Sequence, residues 1–167
     1  FTNFTKRVTN CPSGINLNQL LKVTEKPVKI GLLAPIFSGP KPDGEIFNLD
    51  ENLKKITLID FWASWCKPCR IQNPGLVNMY NRFNKKGLQI VSVSLDKNKD
   101  KWIKAINDYG LSWDQHISNL MFWKEPIAVL YNVTAIPATF LLDSNGVILE
   151  KNLRGIQLEK KIEELLQ

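Results

Sequence analysis

Cysteine, histidine and long apolar segments are all scarce in this sequence. Its 167 residues include three cysteines and one histidine, and an odd number of cysteines excludes a fully paired disulfide framework. No segment approaches the roughly 18 uninterrupted apolar residues that a membrane-spanning helix needs. The first seven residues lack the apolar region of a secretory signal, which is also what a trimmed chain would show. We therefore expect one globular domain with a sizeable core and no membrane span.

The sequence also lacks a concentrated basic region, although its net charge is +6. The lysines and arginines are scattered in short pairs, such as Lys54-Lys55 and Lys160-Lys161, with acidic residues nearby in most cases. A nucleic-acid-binding domain would instead show a basic stripe interleaved with aromatic residues, or a known binding motif. We predict a solvated basic surface that is compatible with acidic partners, and no nucleic-acid partner.

The chain is predicted to divide into an N-terminal extension, residues 1–30, and a domain that covers residues 31–167. The extension contains Cys11 in a turn of sequence Cys-Pro-Ser-Gly and a short helical pattern over residues 15–22. We interpret Cys11 as a buried or incidental thiol, with a third redox-active cysteine as the alternative. We do not expect it to be a lipid-anchor cysteine, because no apolar run precedes it in this sequence.

Strand and helix patterns alternate through the larger region. Short runs rich in β-branched and aromatic residues predict strands, and apolar residues spaced by three or four predict helices. The predicted strands cover residues 45–49, 56–62, 88–95, 139–143 and 147–151, and the predicted helices cover residues 66–83, 100–109, 125–131 and 157–166. The turn Asp143-Ser-Asn-Gly146 marks a hairpin between the last two strands. This order predicts an α/β fold with a mixed central sheet and helices on both faces.

The pair of cysteines in Cys66-Lys67-Pro68-Cys69 is the strongest functional signal in the sequence. The predicted strand ends near Trp62 and the predicted helix begins at Cys66, so the Cys66 sulfur should lie beside the unpaired N–H groups of a helix N-terminus. Such an environment favours a thiolate. Cys69 lies about one helical turn deeper. The arrangement predicts an exposed attacking thiol at Cys66 and a buried resolving thiol at Cys69.

A zinc site is the alternative for these cysteines, because Cys11 and His116 would complete a set of four ligands. Nothing in the spacing of the four residues supports such a site, so we predict neither a metal nor an organic cofactor. His116 is then a structural or exposed residue. The tryptophans away from the cysteine pair are assigned to packing: Trp62, Trp102, Trp113 and Trp123.

Two segments of the sequence resemble the thioredoxin family. The segment Asp60-Phe-Trp-Ala-Ser-Trp-Cys-Lys-Pro-Cys69 resembles the thioredoxin active-site sequence D-F-W-A-x-W-C-x-P-C. The segment Ala135-Ile-Pro-Ala-Thr-Phe140 resembles the loop that carries the family's cis-proline. Residues 31–37, the turn at residues 43–44 and the long interval between the cysteine pair and this loop are similar to the ResA/TlpA-like branch, which consists of exported thiol–disulfide oxidoreductases. The resemblance covers residues 31–166.

The resemblance implies a thioredoxin-like fold with a central insertion, and an enzyme that reduces disulfides of exported proteins. Cys66 and Cys69 would be the redox pair. Pro137 would follow a cis peptide bond, the backbone of Ile136 would pair with an extended substrate, and Trp65 would offer a flat contact surface.

The implied partners are a disulfide-containing protein substrate and an upstream dithiol electron donor. The implied location is the periplasm or another exported compartment, and a membrane-anchored context is compatible with it. A disulfide oxidase or isomerase, a thiol peroxidase and a non-catalytic binding module are the alternatives.

Asp60 and Gln72 depart from the pattern of that branch. The branch usually has Glu three residues after the second cysteine, where this chain has Gln72, and a neutral residue where this chain has Asp60. A carboxyl inside an apolar strand is costly to ionise, so we expect a raised pKa for Asp60. We interpret Asp60 as an acid–base group that exchanges a proton with Cys69. The alternative is a carboxylate at a strand edge or end that faces water.

Overall fold

The computed structural model describes residues 27–167. The turn at Cys11 and the helix over residues 15–22 lie outside the described residues, and the boundary at residue 30 stays a prediction. Val28 is already buried, and its carbonyl oxygen accepts a hydrogen bond from Lys151 Nζ at 2.8 Å. The chain therefore packs against the domain a few residues before the predicted boundary.

A small hairpin and a five-stranded sheet make up the β-structure of the described residues. The strands are β1 (Ser38–Pro40), β2 (Ile46–Asn48), β3 (Ile56–Trp62), β4 (Leu88–Ser94), β5 (Gln115–Ile117), β6 (Ala138–Asp143) and β7 (Ile148–Lys151). β1 pairs with β2, and the larger sheet has the order β5-β4-β3-β6-β7. The β3–β4 and β4–β5 pairs are parallel, whereas the β3–β6 and β6–β7 pairs are antiparallel. The sheet is therefore mixed, as predicted.

The α-helices connect these strands. They are α1 (Lys67–Phe83), α2 (Lys99–Asp108), α3 (Pro126–Leu130) and α4 (Gly155–Leu165), with 3₁₀ turns at Asn84–Lys86 and Phe122–Lys124. The predicted helices all occur, with ends that differ by one or two residues, which is the usual uncertainty of a helix boundary. Within residues 27–167, no helix combines the length and the apolar character that crossing a bilayer requires.

Apolar side chains fill both faces of the central sheet. Every residue of β3 and β4 is buried, which is typical of strands covered on both sides. On one face, the ring of Tyr131 at the end of α3 packs against Phe61 and Phe140, with centroids 5.6 and 5.0 Å apart. On the other face, α1 contacts α4, and Arg82 forms an ion pair with Glu159 between them. The predicted architecture, with helices on both faces, is confirmed.

β1 and β5 are absent from the strands predicted above. Their sequences, Ser-Gly-Pro and Gln-His-Ile, are three residues long and contain no alternating apolar run. Partners distant in sequence determine their positions. β5 pairs with β4, and the N–H of Ser118 just after β5 donates to the carbonyl of Pro40 in β1 at 3.2 Å.

The β6–β7 hairpin turns at residues 143–146, as predicted. Asp143 Oδ1 accepts hydrogen bonds from the N–H groups of Asn145 and Val147, each at 2.9 Å. Gly146 has φ of 81°, a backbone conformation that glycine adopts at little cost. The turn residues therefore determine where the hairpin reverses.

Residues 31–34 lie along the start of β7. The N–H of Gly31 donates to the carbonyl of Ile148 at 2.8 Å, and the N–H of Ile148 donates to the carbonyl of Leu32 at 2.9 Å. Leu33 forms an antiparallel bridge with Val147. These bonds extend the sheet by a short segment beyond β7.

Candidate active site

The two cysteines lie where β3 ends and α1 begins. Cys66 is the N-cap residue of α1, and its Sγ accepts a hydrogen bond from the N–H of Cys69 at 3.3 Å. Pro68 lies in the first turn of the helix, where backbone N–H groups have no partner within the helix, so its missing N–H costs no hydrogen bond. Cys66 and Cys69 form a disulfide, with Cα atoms 5.3 Å apart. The pair thus lies at a helix N-terminus, where the sequence pattern placed it.

The predicted burial of Cys69 is confirmed, whereas the predicted exposure of Cys66 does not hold in this oxidised form. Cys66 is 4% exposed and Cys69 is 1% exposed, so both are buried. The prediction assumed that a cap residue projects into solvent. Instead, the Cys66 sulfur lies over the first helical turn, because it bonds to both the sulfur and the N–H of Cys69. Lys67 and Pro68, which separate the cysteines, are the exposed residues of the motif.

Asp96, which no sequence pattern identified, holds the loop before Cys66. Its carboxylate is buried, at 2% exposure of the residue. Oδ2 accepts from the N–H of Ser64 at 2.9 Å, and Oδ1 accepts from the Ser64 hydroxyl at 2.5 Å. The Ser94 hydroxyl also donates to Oδ2, at 2.6 Å. Asp96 is a positioning residue, and its only sequence signal is an acid that closely follows a buried strand.

Asp60 is buried in the central strand of the sheet. It is 3% exposed and pairs in register with Ser92 of β4 and Thr139 of β6. Successive side chains of a strand point to opposite faces, so Asp60 points away from Phe61 and toward the face that carries α1 and α4. Burial raises the pKa of Asp60 from 3.8 to about 7, and the positive charge of Arg154 partly opposes that rise. The raised pKa is confirmed, and the alternative of a water-facing carboxylate is wrong.

Arg154 connects Asp60 with the loop that precedes β6. Its guanidinium Nη2 donates a hydrogen bond to the carbonyl oxygen of Pro137, and its charge lowers the pKa of Asp60. The Ile136–Pro137 peptide bond is cis. Pro137 is buried and Ile136 is half-buried. Arg154 is the N-cap residue of α4, and no sequence pattern identified it.

Gln72 lies in α1 one turn beyond Cys69. Its Nε2 atom is buried and makes no hydrogen bond to the part of the chain that the structure describes. An amide has no titratable proton near neutral pH, so Gln72 cannot serve as the acid–base group that a Glu at this position could be. Asp60, by contrast, is a buried carboxyl on the face of the sheet that carries α1.

Trp123, which was assigned to packing with three other tryptophans, packs against exposed aromatic residues and not in the core. Trp62, Trp102 and Trp113 are at most 3% exposed, as predicted, whereas Trp123 is 38% exposed. It belongs to the 3₁₀ turn Phe122–Lys124, and its ring centroid lies 6.2 Å from that of Trp65. Hydrophobic character alone predicted burial, but the side chain packs against another exposed aromatic residue.

His116 lies in the core. Its ring stacks on Trp113 with centroids 5.5 Å apart, and its Nε2 lies 3.1 Å from the carbonyl oxygen of Leu111. Burial lowers the pKa of His116 from 6.5 to about 4, so the ring is neutral at pH 7. Among residues 27–167, no three His, Cys, Asp or Glu side chains are grouped so that they could hold a metal ion; Cys11 lies outside these residues.

Comparisons with known proteins agree with this geometry. Residues 54–148 match a family model described as thioredoxin-like. Thioredoxin-like protein YneN of Bacillus subtilis is 32% identical, over 92% of this chain and 88% of YneN. Thiol-disulfide oxidoreductase ResA of Bacillus anthracis is 27% identical, over 92% of this chain and 86% of ResA.

Solved structures give the same result. The thioredoxin domain of a thiol-disulfide oxidoreductase from Bacteroides vulgatus matches with a TM-score of 0.77 and 30% identity, over 83% of this chain and 99% of that domain. A thiol-disulfide oxidoreductase from Bacteroides fragilis matches with a TM-score of 0.73 and 30% identity, over 80% of this chain and 99% of that structure.

A mixed sheet whose central strand leads into a helix capped by a C-x-x-C disulfide defines a thioredoxin-like protein. The chain belongs to the thioredoxin-like family. It is a thiol–disulfide oxidoreductase, an enzyme class whose substrates include protein disulfides.

Asp60→Asn is expected to stabilise the oxidised protein at pH 8 but not at pH 4. The unfolded carboxyl ionises near 3.8 and the folded one at about 7, so the folded wild type retains a proton that the unfolded chain has lost. Wild-type stability therefore falls as the pH rises through this window, and the asparagine variant escapes the loss. The full effect is about 4 kcal/mol at most. Urea unfolding at pH 4, 6 and 8 measures it, and a stability difference independent of pH would contradict the expectation.

Proposed function

We propose that this protein reduces disulfides of exported proteins, with Cys66 and Cys69 as its working dithiol. The position of the pair carries the proposal: Cys66 caps α1 and Cys69 lies within the first turn. The helix N-terminus offers a partial positive charge and free N–H groups, both of which stabilise a Cys66 thiolate. The exported location, in the periplasm or an equivalent compartment, rests on the resemblance to the ResA/TlpA-like branch.

The proposed reaction consists of two thiol–disulfide exchanges. The Cys66 thiolate attacks one sulfur of the client disulfide, and the other client sulfur leaves as a thiolate and takes a proton. Cys69, once deprotonated, attacks Cys66; the Cys66–Cys69 disulfide forms and the client leaves with two thiols. Two electrons pass from the protein to the client. An upstream dithiol donor returns the pair to the reduced form by the same exchange in reverse.

Asp60 is the proposed base for the second exchange. Cys69 is 1% exposed, so water has little access to remove its proton. Asp60 lies on the strand that leads into the cysteine pair, on the side of the sheet that faces α1. With a pKa of about 7, its carboxyl can accept and release a proton near neutral pH. Gln72, one turn beyond Cys69, cannot do so.

Client contacts are proposed at Trp65 and at the loop that contains Ile136 and Pro137. Trp65 precedes Cys66 directly and is 45% exposed, so a client cysteine that reaches Cys66 would pass its ring. The backbone N–H and C=O groups of half-buried Ile136 would pair with an extended client segment, in the manner of an added strand. Neither contact requires one particular client sequence. The same surface could therefore bind the protein substrate and the electron-donor protein in turn.

The reduction potential of the Cys66–Cys69 pair should lie between about −270 mV, the thioredoxin value, and roughly −200 mV. Lys67 and the helix N-terminus favour the thiolate, but solvent screens an exposed charge and limits its effect. Equilibration with glutathione buffers, followed by alkylation and mass measurement, gives the value. A potential near −120 mV, typical of a strong oxidant, would assign the protein as a disulfide oxidase. If the wild type reduces insulin, the protein is a catalyst, whether reductase or oxidase, and not a non-catalytic binding module.

Cys69→Ser should trap client proteins as mixed disulfides through Cys66, because the resolving thiol is missing. Cys66→Ser should trap almost none, because Cys69 lies within the first turn of α1 and not at its N-cap, where the free N–H groups favour a thiolate. Both variants are made in a Cys11→Ser background, so that a third thiol cannot form the adducts. Non-reducing electrophoresis and peptide mapping identify the linked cysteine. Adducts formed mainly through Cys69 would reverse the assignment of the two thiols.

Asp60→Asn should slow the release of reduced client far more than the formation of the mixed disulfide. The wild-type release rate should rise as the pH passes about 7, where Asp60 ionises, and the variant should lack this rise. Losing a general base typically costs roughly 100-fold or more. Adding Gln72→Glu to the variant should restore part of the rate, since it returns a carboxylate next to Cys69.

Single-turnover quench measurements from pH 5 to 9 separate formation of the mixed disulfide from its release. If Asp60→Asn releases reduced client at the same rate as the wild type at every pH, Asp60 has only a structural role.

A further inference from the structure

Three aromatic side chains form an exposed cluster beside the cysteine pair. We call Trp65, Phe122 and Trp123 the aromatic platform. The ring centroid of Trp65 lies 5.2 Å from that of Phe122 and 6.2 Å from that of Trp123, and the last two are 6.1 Å apart. Trp65 and Trp123 are 45% and 38% exposed. Because Trp65 directly precedes Cys66, the platform adjoins the position of the reacting disulfide.

The segment that carries Phe122 and Trp123 has a defined and strained backbone. Leu120 and Phe122 have φ of 59° and 57°, values that are unfavourable for residues other than glycine and that persist only where surrounding contacts enforce them. Buried Glu125 supplies such a contact: its carboxylate accepts from the N–H of Asn119 at 2.8 Å and from the Asn119 side-chain amide at 2.7 Å. The aromatic rings are therefore presented to solvent by a fixed turn.

Exposed aromatic surface of this kind is typical of a binding site. Trp and Tyr dominate the energetics of protein interfaces because a large rigid ring loses little conformational entropy when it is covered. Met121, which directly precedes Phe122 in the sequence, is 47% exposed and adds apolar surface to this segment. A bound segment that reached from the disulfide across the platform would cover all of these side chains.

One lysine contacts the aromatic platform, and two more adjoin its segments in the sequence. Lys97 Nζ lies 4.5 Å from the Phe122 ring centroid, and the exposed Lys67 and Lys124 adjoin Cys66 and Trp123 in the sequence. None of the three lysines forms an ion pair with a carboxylate of the described chain.

Asp96, which precedes Lys97, and Glu125, two residues after Trp123, are both buried and hydrogen-bonded. Glu125 bonds to Asn119 and Asp96 bonds to Ser64. Neither forms an ion pair with the three lysines, so the exposed charges at this surface are positive and favour an acidic partner.

We propose that the aromatic platform selects the client: it binds an apolar side chain in an extended, acidic segment next to the client's reacting cysteine. This inference rests on the proposed reductase function, because the bound segment belongs to the disulfide substrate. The platform contributes affinity and orientation before Cys66 attacks, and takes no part in the exchange of electrons. Trp123 and Phe122 are thus specificity-determining residues that lie outside the C-x-x-C motif.

Synthetic peptides with one internal disulfide test this selection. Four probes share the same disulfide loop and differ only in the flanking segment, which contains either Leu or Ser as its central residue and either Asp or Lys as its charged residues. Pre-reduced protein is mixed with each probe, and acid-quenched samples give the second-order rate constant for reduction. Wild type should reduce the Leu-Asp probe at least about tenfold faster than the Ser-Lys probe, which matches the loss on removing a central aromatic contact.

Variants of Trp123 are compared through the ratio of the two rates, which does not depend on the folded fraction of a preparation. Trp123→Ala should reduce the ratio to about twofold or less, and Trp123→Phe should retain most of it, because a phenyl ring preserves part of the contact area. Ile156→Ala is the matched control. Ile156 is an exposed apolar residue of α4, at 71% exposure, and its loss should leave the ratio at the wild-type value.

Each outcome supports or overturns the inference. Equal wild-type rates on all four probes, or a ratio unchanged by Trp123→Ala, would overturn it even if insulin and hydroxyethyl disulfide are reduced normally. No reduction of any disulfide by wild type would instead remove the proposed function itself. Sedimentation velocity tests whether the platform instead binds a second copy of the chain. A wild-type dimer that Trp123→Ala dissociates, together with equal rates on the four probes, would show this and overturn the inference.

Discussion

The contact between Asp96 and the loop that follows β3 fixes the geometry of the candidate active site. Both carboxylate oxygens of Asp96 bond to Ser64, two residues before Cys66. Charge-assisted hydrogen bonds of this kind contribute about 1.5–3 kcal/mol each. β3 is itself paired on both sides and buried along its length, so the strand cannot shift. The hydrogen bonds between Ser64 and Asp96 hold the loop rigidly against the sheet. Trp65 and Cys66, which follow Ser64, therefore occupy fixed positions at the helix N-terminus.

Asp60 and Asp96 show how surroundings divide the roles of two buried carboxyls. Asp96 accepts hydrogen bonds from Ser64 and Ser94, which satisfy its negative charge and make it a structural anchor. Asp60 receives no hydrogen bond from the described chain, and only the charge of Arg154 favours its ionised form. A carboxyl without donors holds its proton more tightly. The residue with the less satisfied environment is therefore the one suited to proton transfer.

Features determined by local sequence could be predicted, and those determined by distant partners could not. The buried run of β3, the periodic face of α1 and the Asp143–Gly146 turn each carry their own signal within a few residues. β5 carries none, because pairing with β4 makes it a strand. The identification of the C-x-x-C pair followed from its position between a strand pattern and a helix pattern, both of which are local.

Individual side chains of the site were harder to predict for the same reason. Asp96 and Arg154 act on the site from segments that follow other strands, so nothing near the cysteine pair in the sequence points to them. The exposure of Trp123 depends on a strained turn held by Glu125, whereas the hydrophobic character of a tryptophan predicts burial. The burial of Cys66 depends on the disulfide and on its capping bond. The burial and raised pKa of Asp60 could be predicted, because an acidic residue within an apolar strand is unusual in the sequence itself.

The short segment of residues 31–34 has a consequence for self-association. An outer strand with unpaired main-chain groups is a template on which another chain can add. Here the bonds between this segment and Ile148 occupy the open side of β7 where the strand begins, and at the opposite edge β5 is only three residues long. Within residues 27–167, neither border of the sheet offers a long, flat row of free N–H and C=O groups. The domain is thereby protected against the edge-to-edge stacking that leads β-proteins to aggregate.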